Sequence, residues 1–313
     1  MTEKGLKIIE DDLKWPARSS SPFQNTLTGR LNEARAKFER LWLLHPQRFD
    51  PLRNCRERLR IERTWQLLKK NGLVKNQKAC DLGCGSGFLS RKLRDHGAQV
   101  EAIEIAENAL KKFREMGCED IILKQDAMPS TSLKDHFYDI VICTDIIANI
   151  AAEDYRLFFA ELSRLITPDG LLICSSPIDI DTQGGAERLV SFAQAEFDII
   201  EEKPSYHALH IRLQRFFKAP VRFYNKMKLK KSLSLWMKPF YWLSGGVSSV
   251  LQPICHLFEQ NDKLLLRLEK ICCFFCDTDG ISHYLFAAKR RPMIEINKED
   301  APRLKPGKHE VWE

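Results

Sequence analysis

Three glycines stand at alternate positions behind a carboxylate in Asp81-Leu-Gly-Cys-Gly-Ser-Gly87, and a second carboxylate, Glu104, closes the next apolar run. Glycines at this spacing permit a tight turn and let the main chain approach a ligand closely. A carboxylate at the end of the following strand can accept both hydroxyls of a ribose. The glycines alone would serve equally well in a strand-to-helix turn that only packs. Glu104 is what turns the reading towards a nucleoside-bearing ligand. The nicotinamide fingerprint is G-x-G-x-x-G and sets a phosphate at a helix N-terminus. Here the pattern is G-x-G-x-G, and Asp81 would put a carboxylate beside a pyrophosphate. That carboxylate suits a ligand with positive charge and no phosphate.

Elements of regular spacing must hold these groups. Ala79 to Leu82 reads as a strand, Phe88 to Asp95 as a helix, Val100 to Ile105 as a strand and Ala106 to Met116 as a helix. Strands follow at Ile121 to Leu123, Tyr138 to Cys143 and Leu171 to Ser175, with a helix from about Glu153 to Ile166. This βαβα rhythm predicts a mostly parallel sheet covered on both faces, with ligands at the carboxyl ends of its strands. Before it, a loose lead-in with a turn-like Ser19-Ser-Ser-Pro22 holds one helix near Leu31 to Leu44. A second helix, within 52 to 71, has Leu59, Trp65 and Leu68 as inward positions and Asn71-Gly72 as its stop.

The chain has 313 residues, 44% hydrophobic and 29% charged, with a formal net charge of +7, as expected of a globular protein. Ten cysteines lie mostly singly in apolar stretches, which fits reduced, buried thiols and a cytoplasmic setting rather than a disulfide framework. Cys272-Cys-Phe-Phe-Cys276 contains one C-x-x-C, but a zinc site needs a second pair, so packing is expected there and no metal is assigned. The N-terminus does not read as a secretory signal, and no run is long and apolar enough for an ordinary transmembrane helix.

The motifs together resemble the class I S-adenosylmethionine-dependent methyltransferases. Asp81 to Gly87 is similar to the family's first motif, Val100-Glu-Ala-Ile-Glu104 to its second strand, and Gln125-Asp126-Ala127 to its adenine-contact segment. Tyr138 to Asp145 resembles the fourth strand and its loop, and Leu165-Ile-Thr-Pro-Asp-Gly170 the approach to the fifth. The resemblance implies S-adenosylmethionine as cofactor, bound by Asp81, Gly83, Cys84, Gly85, Gly87, Glu104, Ile105, Asp126, Ala127 and Thr144. It also implies a Rossmann-like seven-strand α/β sheet, with a helical N-terminal lead-in (1–74), a core (75–203), a helical insertion (204–282), a last strand (283–291) and an exposed tail (292–313).

For the acceptor, the resemblance points to the loop Cys143-Thr-Asp-Ile-Ile-Ala-Asn149. Quinone and lipid-like O-methyltransferases often carry Glu-x-x-Glu-His there. This chain has Asp145 at the first of those positions but Ala148 and Asn149 at the last two, so a metal or histidine-base role does not carry over. Asp145 is a candidate base or orienting group, with a plain helix cap as its bland alternative. His207, with His210 three residues on, is a second candidate base, weighed against structural histidines.

Residues 203 to 258 contain ten Lys or Arg and no Asp or Glu, which leaves −3 for the rest of a +7 chain. Aromatic residues are interleaved, and Pro239 to Phe258 then carries no formal charge. Val247, Val250, Leu251, Ile254, Leu257 and Phe258 predict an apolar face at helical spacing, as do Leu264, Leu268, Ile271 and Phe275 in the next helix. Three readings stay open: an anionic membrane surface, RNA, and a helical cap over the active site. The apolar stretch favours membrane over RNA. The resulting expectation is methyl transfer to oxygen or carbon of a small, lipid-like or quinone-like acceptor, by a cytoplasmic protein that can sit at the membrane edge. An RNA methyltransferase and a non-catalytic cofactor-binding module are the alternatives.

Overall fold

The protein is described by a computed structural model over residues 26–181, 184–228, 238–276 and 280–292. The Ser19-to-Pro22 stretch, Lys230, Lys231, Trp236 and the tail from 293 lie outside the described residues. Among the described residues, seven strands form one sheet: β1 (Lys78–Leu82), β2 (Gln99–Glu104), β3 (Ile122–Gln125), β4 (Tyr138–Thr144), β5 (Ile166–Pro177), β6 (Phe197–Glu202) and β7 (His283–Arg290). Their order is β3-β2-β1-β4-β5-β7-β6. The first five are parallel, and β7 runs antiparallel between β5 and β6.

Central strands of a parallel sheet are covered on both faces, so they read as nearly unbroken apolar runs. Cys80, Leu82, Val141 and Cys143 join one buried cluster with Phe158, Phe159 and Leu162. Ala79, Ile140 and Ile142 alternate into a second cluster with Leu67, Leu68 and Leu93. The covering helices are α1 (Leu27–Leu44), α2 (Cys55–Lys70), α3 (Phe88–Asp95), α4 (Glu107–Arg114), α5 (Tyr155–Leu165) and α6 (Gly185–Ala193). Three longer ones, α7 (Ala208–Lys228), α8 (Lys238–Gln260) and α9 (Asp262–Phe275), fill the stretch between β6 and β7.

The lead-in is more built than its sequence predicts. Thr26 caps α1 by accepting from the Gly29 amide at 3.1 Å. Glu39 of α1 then accepts from the amides of Glu107 and Asn108 at 2.6 and 3.0 Å, capping α4, whose own N-cap is Ala106 and offers no side-chain acceptor. On α2, Leu68 is fully buried, but Leu59 and Trp65 are only half-buried; Cys55, Ile61, Thr64 and Leu67 are the other inward positions. Only Gly72 of the Asn71-Gly72 stop takes positive φ, at 121°, while Asn71 closes the helix by donating to the Leu67 carbonyl at 2.9 Å. Strand β5 begins at Ile166 rather than Leu171, taking in the approach segment through a register shift against β4.

The apolar positions expected in the insertion divide between protein and solvent. On α8, Leu251 and Phe258 turn partly inward, whereas Val247, Val250, Ile254 and Leu257 face solvent. On α9, Leu265, Glu269 and Cys272 are the buried positions, and Ile271 and Phe275 are exposed. Arg63 of α2 explains the rotation, because it grips the Glu269 carboxylate with two hydrogen bonds of 2.8 Å each. Arg58 of α2 similarly bonds Gln260 and Asp262 at the α8–α9 junction.

Candidate functional site

Strand order reverses between β1 and β4, and a cleft of about 340 Å³ opens at the carboxyl ends of β1, β2 and β4. Open parallel sheets bind ligands at such a switch point. Its floor is the glycine loop. Gly83, Gly85 and Gly87 all have positive φ, at 66°, 55° and 78°. A Cβ on Gly83 would lie 2.8 Å from Ile146, and one on Gly85 would lie 3.2 Å from the Trp42 ring. The loop therefore sits under a close roof, and both positions keep the cleft open only as glycine. A Cβ on Gly87 would lie 2.2 Å from the Phe113 ring. Gly87 is not on the cleft wall; it starts α3 over Phe113.

The other nine positions implied for the cofactor all line the cleft: Asp81, Gly83, Cys84, Gly85, Glu104, Ile105, Asp126, Ala127 and Thr144. Glu104 braces the loop by accepting from the Gly85 amide at 3.0 Å and the Ala106 amide at 3.1 Å. Burial raises its carboxyl above the usual range, and those amides pull it back. Asp81 is 2% exposed, accepts from Ser90 Oγ at 2.5 Å, and is pushed up to about 7 by burial, with Glu104 adding to the rise. Asp126 accepts from the amides of Ala127 and Ser132 at 2.8 and 2.7 Å, holding the loop after β3.

Asp145 follows β4 with φ at 62°, a conformation that non-glycine residues rarely take. Its carboxylate accepts from Ser175 Oγ and His283 Nε2, each at 2.8 Å, and Arg60 Nε lies 3.3 Å away. Burial pushes its carboxyl up, but Arg60 and His283 outweigh that and hold it well below the usual carboxylate range. Arg60 also bonds Glu57 at 3.0 Å, and Arg60, Glu57 and Asp145 all line the cleft. Asp145 is thus the hub of an ion-pair cluster, not an unengaged base.

His207 is not brought to the cleft wall. It is 4% exposed, with Nε2 3.5 Å from Glu269, and burial lowers its pKa against the pull of that carboxylate. His210 is buried against the Phe258 ring at 4.4 Å, and burial lowers it to about 4. Among the described residues, no group of three His, Cys, Asp or Glu side chains could hold a metal ion.

A helical cap is one of the three readings open for 204–282, yet none of the described residues of that segment lines the cleft. The cover comes instead from the N-terminal lead-in: Leu27, Leu31, Ala34, Phe38, Trp42 and Phe49, with Arg30 pairing Asp154 at 2.6 Å. Trp42 stacks on Phe49 at 4.4 Å between ring centres. Arg48, Arg53 and Arg60 join this wall. Sequence reasoning missed these residues. Arg53, Glu57 and Arg60 belong to a charge-rich helical stretch indistinguishable from a solvated face, and Trp42 carries no motif.

Residues 80–174 match the family described as "Methyltransferase domain". Residues 80–174 thus form a methyltransferase domain of the class I S-adenosylmethionine-dependent kind, and S-adenosylmethionine is that domain's cofactor. Among curated proteins the chain is similar to ubiquinone biosynthesis O-methyltransferases: 26% identical over 149 residues to that of Yersinia enterocolitica, covering 45% of this chain and 59% of that protein. To that of Bordetella avium it is 29% identical over 162 residues, covering 50% and 64%. The match thus spans less than two thirds of these relatives' length. A solved cyclopropane synthase, MmaA2 from Mycobacterium tuberculosis, is 14% identical with a TM-score of 0.46, over 73% of this chain and 83% of that one. The N-methyltransferase NodS from Bradyrhizobium japonicum is 19% identical with a TM-score of 0.43, over 56% and 87%.

Proposed function

We propose that this protein transfers a methyl group from S-adenosylmethionine to oxygen or carbon of a small, lipid-like or quinone-like acceptor. The carrying observation is the single cleft that joins the Glu104 and glycine-loop floor to the largely apolar wall of α1. When bound, the cofactor supplies a methyl group on a positively charged sulfur. The protein's part is to hold donor and acceptor in line and keep water away. Asp81 and Glu104 offer carboxylates, Asp81 to a cationic group and Glu104 to a ribose. Leu31, Phe38 and Phe49 offer apolar surface to an acceptor ring or chain.

Deprotonation of the acceptor is not assigned to Asp145, because its Oδ1 accepts from Ser175 and His283, its Oδ2 faces Arg60, and these partners hold it ionised and weakly basic. Asp145 is a positioning residue that orients Arg60 at the cleft wall. An acceptor with an acidic hydroxyl, such as a phenol, needs no strong base. A lipid-like acceptor is met at a membrane, so the reading includes peripheral action there. The names of the curated relatives support the same acceptor class.

Two measurements test it. Calorimetry with S-adenosylmethionine is expected to give binding that Glu104→Ala weakens at least about tenfold. Transfer of labelled methyl groups into fractionated extract is expected to mark the lipid or small-metabolite fraction. Label confined to RNA or protein refutes the acceptor class, and binding without any transfer refutes catalysis.

A further inference from the structure

Helix α8 is built inside out. Its buried side carries Ser244, Ser248 and Cys255, and Gly245 lets it approach the Tyr224 ring of α7 so closely that a Cβ would lie 3.0 Å away. Apart from Leu251 and Phe258, which turn partly inward, its large apolar residues point the other way. Phe240, Leu243, Val247, Val250, Ile254 and Leu257 follow one another at alternating spacings of three and four, which places them in one stripe along the helix. Leu243, Val250 and Leu257 are 67%, 64% and 69% exposed, and Trp242 beside the stripe is 75% exposed. Isolated exposed apolar residues need no explanation, but a continuous stripe of them marks an interaction surface.

Charge selects the occupant. Packed beside this helix, α7 presents Arg222 and Lys226 to solvent, and Arg212 on its side towards α9, with no acidic partner shown for them among the described residues. The whole stretch from 203 to 258 has no Asp or Glu. Some of its cations are neutralised from outside, Arg215 by Asp181 and Lys218 by Glu259, which leaves these three unspent. A second copy docked on the stripe would bring like charge against like charge. RNA has no use for an apolar stripe flanked by glycine and proline. An anionic lipid surface satisfies both halves: headgroups meet the cations and the acyl boundary takes the stripe. Trp242 fits the aromatic preference of that boundary, with Tyr241 stacked on Tyr224 behind it. Among the described residues no helix is long and apolar enough to cross a membrane, so α8 would lie in the plane.

We propose that the outer face of α8, with the neighbouring cations of α7, docks this protein on anionic lipid bilayers. The docking rests on the transferase reading only for its purpose, and it is measured without cofactor or acceptor, so either can fail alone. The full chain is to be sedimented with phosphatidylcholine vesicles with and without phosphatidylglycerol, at low and high salt. The same is done with the Leu243→Glu/Val250→Glu/Leu257→Glu variant, whose unfolding temperature and S-adenosylmethionine affinity serve as fold controls. Binding is expected only to the anionic vesicles, to weaken with salt, and to fall by at least about tenfold in the variant. Brominated lipid is expected to quench tryptophan emission in the native chain and less so in Trp242→Phe, a readout that does not depend on the triple variant folding. No binding to anionic vesicles overturns the proposal. So does equal binding by the folded variant, or sedimentation velocity showing a dimer that the variant dissolves.

Discussion

At the residue scale, two carboxylates of one cleft are driven in opposite directions by their neighbours. Asp81 is buried with no cation beside it among the described residues and is pushed up to about 7; Asp145 has Arg60 and His283 and stays ionised. Because the folded value of Asp81 lies above that of a free carboxylate, the folded apoprotein holds a proton there between about pH 4 and 7. A cationic ligand group beside it favours the ionised form. Binding of S-adenosylmethionine is therefore expected to release a proton below pH 7 and to strengthen as pH rises, levelling off above about 7. Calorimetry at pH 6 in buffers of different ionisation enthalpy measures the release; Asp81→Asn is expected to abolish it, and buffer-independent heats would rule it out. For Asp145→Asn, the amide tolerates the positive φ but cannot hold Arg60. Expected are a kcat lower by roughly tenfold with cofactor affinity unchanged, and a stability loss of about 1–3 kcal/mol, since the carboxylate is partly exposed. A loss of cofactor affinity instead would move Asp145 from the acceptor side to the donor side.

At the element scale, α1 is a cover held at three points, one of them the pair of Arg30 with Asp154. Glu39 caps α4, and Trp42 fills the space between Phe49 and the glycine loop. Trp42→Ala removes the largest of these and is expected to cost about 3 kcal/mol, less if α1 detaches without the core. Hydrogen exchange should then quicken over 27–44 while β1, β4 and β5 keep their protection. Uniform quickening would mean that α1 is an integral part of the core and not a cover.

At the scale of the whole molecule, ligand binding draws on everything that closes around it. Cofactor at about a hundred times its Kd contributes about 2.7 kcal/mol, or roughly 5 °C in Tm, and the same ligand should protect 27–61 if the lead-in closes on it. A Tm that does not move with cofactor concentration refutes that. How far the sequence alone reaches is uneven for physical reasons. Strands β1 and β4 were legible because burial on both faces makes their apolar runs continuous, and the glycine loop because positive φ demands glycine. The order of α8's faces was not legible: helical periodicity groups apolar residues into a stripe, but does not say whether that stripe meets protein or solvent. The cleft wall was hidden as well: Arg53, Glu57 and Arg60 pair with one another as charges on a solvated helix face do, and only the contact of Arg60 with Asp145, far away in the chain, ties them to the cleft. Helix α2 draws these threads together. One side of it, through Arg58 and Arg63, holds the three-helix unit; another, through Glu57 and Arg60, forms the cleft wall. It is a party wall between two rooms. It cannot be rolled or shortened to suit one tenant without disturbing the other, so the outlying helices and the cleft must vary in concert across it.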